Sequence, residues 1–115
     1  MIKVTFEEKD NKFTLTLKGH AGQAECGQDI VCASASILAY TVAQFVIEAN
    51  CQGDLKDSPI LQLASGDTVI SCEPTEEIIH EMRNMYRFAE IGYNLLVYNH
   101  PQYVELTPFG QSDEA

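Results

Sequence analysis

Two residues that can carry out nucleophilic chemistry together lie near each other in this sequence. His20 follows Gly19, and Cys32 comes twelve positions later, near the start of a long apolar segment. A cysteine thiolate attacks carbonyl carbons, and an adjacent imidazole can accept the thiol proton and later protonate a leaving amine. If the fold brings them together, His20 and Cys32 form the catalytic pair of a thiol hydrolase. Nothing local in the sequence requires that the two side chains meet.

The residues around Cys32 predict the start of a helix. Asp29 is a favourable N-cap residue, and residues 30–49 are apolar on nearly all sides, which puts Cys32 in the first helical turn. Free N–H groups and the helix dipole stabilise a thiolate there, and the same groups could face an oxyanion. Asp29 could instead orient His20 as the third member of a triad. Ser36, one turn beyond Cys32, could hydrogen-bond the sulfur, the substrate or the preceding helix carbonyl.

Other roles for these residues remain open on chemistry alone. A cysteine in an apolar helix is usually a small buried hydrophobe, and a histidine beside glycines is usually a solvated loop residue. Zinc could be bound by His20, Cys26 and Cys32, but their six-residue spacings are unfamiliar and a fourth ligand is missing. We expect neither a metal ion nor another cofactor, because hydrolysis by a Cys/His pair needs none. Cys26 and Cys32 could also form the reversible disulfide of a redox sensor.

Alternating apolar and polar residues predict a β-hairpin at the start of the chain, with strands over residues 2–6 and 13–18. The segment 19–28 follows, and its Gly22 and Gly27 predict a flexible loop. Later patterns predict, in order, a helix over 30–49, a hairpin of strands 60–64 and 68–72, a helix that opens at Pro74 and ends before Pro101, and a strand over 103–106.

This order, ββαββαβ, has hairpins and no regular βαβ alternation. It predicts an α+β fold in which two helices pack on a mostly antiparallel sheet, without specifying the order of the strands. A chain of 115 residues with 45% hydrophobic residues is typical of a single domain. We place that domain at residues 1–109 and expect residues 110–115 to form a disordered tail.

Charge and composition restrict the partners and the compartment. Seven Lys+Arg against 17 Asp+Glu give a formal net charge of −10, which disfavours nucleic-acid binding and favours a basic protein partner. The uncharged run 30–47 contains polar residues and has an acid at each end, so we expect no membrane span. Four cysteines without CxxC spacing and a start without a leader pattern predict a cytoplasmic location. The excess apolar surface of the first helix favours a homodimer.

The string GHAGQAECGQDIVCASAS at residues 19–36 resembles the signature of the ribosomal-processing cysteine protease family, Prp, approximately GHA, a glycine loop, then G-x-DIVCA and Ser. The resemblance implies a dimeric α+β endopeptidase that removes a short N-terminal extension from large-subunit ribosomal protein number twenty-seven. It implies His20 as the catalytic base and Cys32 as the nucleophile. Gly19, Asp29 and Ser36 match supporting positions. The alternative function is a non-catalytic ribosome assembly factor that binds the same basic protein.

Overall fold

The computed structural model describes residues 1–20 and 26–110, with the side chains of all of these except residues 26–29. The element order ββαββαβ is the predicted one. The strands and helices are β1 (Ile2–Lys9), β2 (Lys12–Lys18), α1 (Cys26–Cys51), β3 (Ile60–Ala64), β4 (Asp67–Cys72), α2 (Ile79–Asn99) and β5 (Val104–Thr107). The predicted loop residue Gly22 and the predicted tail, apart from Gly110, lie outside the described residues.

The five strands form one sheet in the order β3-β4-β2-β1-β5. β1 pairs with β2, β2 with β4, and β3 with β4, all antiparallel, whereas β5 lies parallel to β1. The predicted α+β fold with a mostly antiparallel sheet is therefore confirmed. Pairing of β2 with β4 matters most for function, because it places the β3–β4 turn beside the end of β2.

The first hairpin is tighter than predicted. The strands β1 and β2 continue to Lys9 and from Lys12, so only Asp10 and Asn11 form the turn. Both have positive φ angles, 54° and 66°, which is the conformation of a type I′ turn. Asp and Asn tolerate this left-handed region, and the turn fixes the register that leads to His20.

Both helices bury their apolar stripes in the core beside one face of the sheet. From the strands, Val4, Phe6, Phe13, Leu15 and Ile70 are fully buried, and each points to that face at every second position. The helices add Val31, Ala35, Ala39, Val42, Ala43, Val46 and Ala49 from α1, and Met82, Tyr86, Ala89, Tyr93 and Leu96 from α2. Ile78, which directly precedes α2, and Met85 within it are only partly buried.

The start of α1 differs from the prediction. The helix begins at Cys26, so Asp29 lies inside the first turn and is not the N-cap, and Gly27 is helical and not part of a loop. An acidic residue is favourable throughout the first turn because of the helix dipole, so Asp29 did not mark the boundary. Cys32 is consequently the seventh residue of α1, in its second turn.

Residues Ile30–Cys51 of α1 are long and apolar enough to cross a membrane. A core helix of a globular protein has the same properties. The buried face of α1 does belong to the core shared with α2 and the sheet, while Ile30, Ile37, Tyr40 and Ile47 are exposed. The apolar surplus predicted for this helix therefore lies on its outer face.

Candidate active site

A cavity of about 220 Å³ opens where the end of β2, the middle of α1 and the β3–β4 turn meet. Its apolar walls come partly from Ile2, Leu17, Ala35 and Ala39, and its rim carries Tyr40, Asp67 and Thr68. The cavity is open to solvent and has both apolar and hydrogen-bonding walls. An open cavity of this kind suits an extended peptide better than a small ligand, which binds in a cavity that encloses it.

Four of the residues singled out from the sequence line this cavity: Gly19, His20, Cys32 and Ser36. Cys32 is a free, exposed thiol, and His20 and Ser36 are exposed as well, so a substrate can reach all three side chains. The four-residue spacing of Cys32 and Ser36 puts them on the same face of α1. The fold thus gathers the predicted nucleophile, the predicted base and a hydroxyl around one opening.

The side chains of Asp29 and Cys26 lie outside the described residues. The triad role of Asp29 therefore stays a prediction, as do the zinc and disulfide interpretations that use Cys26. Within residues 1–20 and 30–110, no group of three or more His, Cys, Asp and Glu side chains could hold a metal ion.

The later position of Cys32 in α1 changes the expected electrostatics. In an α-helix only the first four N–H groups lack a partner inside the helix, and the dipole effect fades beyond the first turn. Cys32 is the seventh helical residue, so its own N–H group is within the helix hydrogen-bond ladder. The oxyanion donors predicted from Cys32 and its neighbours are therefore not free at this position. Among the cavity residues, Ser36 provides a hydroxyl that can serve as a donor.

Gly19 determines how the chain leaves β2 to present His20. Its φ of +93° lies in the left-handed region, and a Cβ built there would be 2.5 Å from the carbonyl oxygen of Met1. The Gly19 N–H group donates to the carbonyl of Gly66 at 3.0 Å, and the amino group of Met1 donates to the carbonyl of His20. Both the backbone angle and the close approach require glycine at this position.

The β3–β4 turn supplies a site residue that the sequence analysis did not identify. A Cβ built at Gly66 would lie 2.6 Å from Cε1 of His20 and still closer to Nε2, so the imidazole ring lies directly against this glycine. The sequence predicted a turn at residues 65–67 but did not indicate that His20 lies beside it, because that contact depends on the pairing of β2 with β4. The only local indication of a special role for residue 66 was that it is a glycine in a two-residue turn.

Two contacts hold α1 at a fixed distance from α2 beside the cavity. The Tyr93 hydroxyl donates to the carbonyl of Ala35 at 2.8 Å, and burial raises the pKa of Tyr93, so this donor stays protonated. Next to it, a Cβ built at Gly92 would lie 2.8 Å from Cδ2 of Leu38, so a larger residue would press the helices apart. The part of α1 that carries Cys32 and Ser36 is thereby anchored to the core.

The fold is shared with several solved structures. SMU.848 from Streptococcus mutans is 23% identical, with 95% of this chain and 94% of that chain covered and a TM-score of 0.66. An essential ribosomal processing protease Prp from S. aureus in complex with a substrate peptide is 19% identical, with 94% and 99% covered and a TM-score of 0.67. The same S. aureus protease with a covalently linked product peptide gives 20% identity, the same coverage and a TM-score of 0.67. At these identities the likeness concerns the fold.

A search of curated proteins found no match to the chain. The family is established instead by a family model that matches the sequence. The model of the family described as cysteine protease Prp matches residues 1–105, which include both hairpins, both helices and the start of β5. The chain therefore belongs to the Prp family and is a cysteine protease.

Proposed function

We propose that this protein removes the short N-terminal extension of large-subunit ribosomal protein number twenty-seven, with Cys32 as the nucleophile and His20 as the general base. The observation that carries the proposal is that His20, Cys32 and Ser36 open onto one cavity of a Prp-family fold. The S. aureus protein of the same fold is a ribosomal processing protease that binds a substrate peptide. The resemblance of residues 19–36 to the family signature supports the assignment of the two catalytic roles.

The proposed reaction has two steps, both at the Cys32 sulfur. His20 takes the thiol proton, the sulfur attacks the scissile carbonyl carbon, and the peptide C–N bond breaks as His20 protonates the leaving nitrogen. The mature ribosomal protein leaves with a new N-terminal amine, while the extension remains on Cys32 as a thioester. Water, deprotonated by His20, then attacks the thioester and releases the extension as a carboxylic acid, which restores the thiol. Ser36 is the proposed donor to the substrate in the cavity.

The overall charge supports a basic substrate. With a formal net charge of −10, the protein attracts a cationic ribosomal protein and speeds their encounter at low salt. The site of action that fits this substrate is the cytoplasm, where ribosomal proteins meet ribosomal RNA.

We also propose a homodimer, which rests on an exposed apolar stripe on α2. Phe88, Ile91, Leu95 and Tyr98 are all exposed and recur at three- and four-residue spacings, so they occupy one side of the helix. Such spacing is typical of a helix that packs against another helix. A second copy of the chain would cover this stripe and bury its apolar area.

The substrate is tested with the purified full-length precursor from the same organism, followed by intact mass spectrometry. We expect two products whose masses identify a single cut bond, no cutting of the mature protein that lacks the extension, and no products with Cys32→Ser. Tight binding without cutting would favour the assembly-factor function instead. Neither cutting nor binding would mean that this ribosomal protein is not the substrate.

A further inference from the structure

The β3–β4 turn touches the ring of His20, the proposed catalytic base, at a point where only glycine fits. Gly66 is half-buried, has a φ of +74°, and leaves no room for a Cβ beside the ring of His20. The three nearest atoms to such a Cβ are Nε2, Cε1 and Cδ2 of His20, all of them ring atoms. Because residue 66 is a glycine and has no side chain, the imidazole can lie directly against the turn.

The turn is also held firmly to the end of β2. Lys18 and Asp67 are register partners in the β2–β4 ladder, and their side chains form an ion pair. One residue further, the N–H group of Gly19 donates to the carbonyl of Gly66 at 3.0 Å. The backbone ladder and this hydrogen bond fix the turn relative to the backbone of His20, whereas the half-exposed ion pair adds little.

We propose that Gly66 is a positioning residue for His20: the bare backbone of the β3–β4 turn supports one face of the imidazole and keeps the ring in the cavity it shares with Cys32. The proposal rests on the proposed catalytic role of His20. In this arrangement, a methyl group at residue 66 displaces the ring, because the ring is the movable partner and the turn is tied to β2. The catalytic base then leaves its place while the fold is retained.

The test compares Gly66→Ala with Gly53→Ala, which is a closely matched control. Gly53 has a φ of +77°, and nothing lies within 4 Å of a Cβ built there, so both variants carry the same left-handed strain. We expect both to lower Tm by a similar amount, about 5 °C. Only Gly66→Ala should lower kcat for precursor cleavage, by about 100-fold or more, with KM changed less than threefold. Equal kcat values for the two variants would overturn the proposal.

A double variant separates positioning from general damage to the site. If Gly66 acts through His20, adding Gly66→Ala to His20→Ala changes the remaining activity by less than threefold. An equal fold-loss in both backgrounds would overturn the proposal. Should Gly66→Ala fail to fold, the double variant must regain the fold, because the clashing ring is gone. A double variant that also fails to fold would place the clash elsewhere and contradict the inference.

An NMR measurement keeps the inference independent of the substrate. The protein has three histidines, so their ring signals are few and can be assigned with His→Gln variants. We expect the Cε1–H signal of His20 to shift in Gly66→Ala and to remain unchanged in Gly53→Ala. An unchanged signal in both would overturn the positioning role. If the signal shifts but His20→Ala retains full activity, Gly66 positions the ring as proposed, and it is the proposed catalytic role of His20 that fails.

Discussion

The hydroxyl of Tyr93 in α2 donates a hydrogen bond of 2.8 Å to the carbonyl of Ala35 in α1. Ala35 is buried in the wall of the candidate active-site cavity and directly precedes Ser36. This bond joins the two helices across the core at the level of the proposed nucleophile. It fixes α1 relative to α2 where a small shift would move Cys32 within the cavity.

Replacement of Tyr93 by Phe should lower the free energy of unfolding by about 1 kcal/mol, because a buried hydrogen bond is lost and the ring is retained. The control is Tyr40→Phe, since Tyr40 is 52% exposed and its hydroxyl contributes little. Urea unfolding of the two variants provides the measurement. Equal stability of both variants would show that the Tyr93 bond does not hold α1.

Gly19→Ala should reduce both stability and activity. The new Cβ would meet the carbonyl oxygen of Met1, a backbone atom that cannot turn aside, at 2.5 Å. We expect a Tm below that of Gly53→Ala, which has similar strain without a clash, and a fall in kcat of at least about tenfold as His20 moves. Differential scanning calorimetry and a cleavage assay measure the two effects. If Gly19→Ala has the same Tm and the same kcat as Gly53→Ala, this account of Gly19 is wrong.

The free energy of unfolding should decrease in alkaline solution, and the buried thiol of Cys72 should be the first group to cause a loss. Its side chain is 2% exposed, and burial raises the pKa of the thiol from 9.0 to about 11. A group with a raised folded pKa stabilises the fold below its unfolded pKa, and that contribution is lost as the pH rises through the folded value. Between pH 9 and 10 we expect a loss of about 1 kcal/mol from Cys72 alone.

Cys72→Ala isolates this effect in urea unfolding at a series of pH values. The variant is less stable at pH 7, because it leaves a small cavity, but its stability should fall less between pH 9 and 10. Burial also raises the pKa values of Tyr86 and Tyr93, so both proteins should lose stability above pH 10. Parallel curves for the two proteins between pH 9 and 10 would argue against an elevated pKa at Cys72.

Ile91→Glu should dissociate the proposed dimer, because it puts a charge in the middle of the exposed stripe on α2. Ile60→Glu is the control, because Ile60 is exposed to a similar extent, 50% against 57%, but lies on the edge strand β3. Sedimentation velocity should show a dimer for the native protein and for Ile60→Glu, and a monomer for Ile91→Glu. A monomeric native protein would exclude the dimer.

The sequence predicted what depends on local patterns. Alternation at Ile2, Val4 and Phe6 predicted a half-buried strand. The residue types of His20 and Cys32 suggested a catalytic pair, but nothing local required the two side chains to meet, and it is the fold that places both at one cavity. The sequence did not predict the first residue of α1, since Asp29 is favourable both as a cap and within the first turn. The sequence also did not predict the contact of Gly66 with His20, because this contact arises from the pairing of two strands that are distant in the chain.

The most direct test of the central claim is kcat/KM for precursor cleavage by four single variants. Cys32→Ser and His20→Ala remove the proposed pair, while Cys51→Ser and His80→Ala remove an exposed cysteine of α1 and an exposed histidine of α2. We predict a loss of about 1,000-fold or more for each of the first two, no further loss when they are combined, and changes within twofold for the controls. More than about a tenth of native activity in Cys32→Ser or His20→Ala would contradict the account.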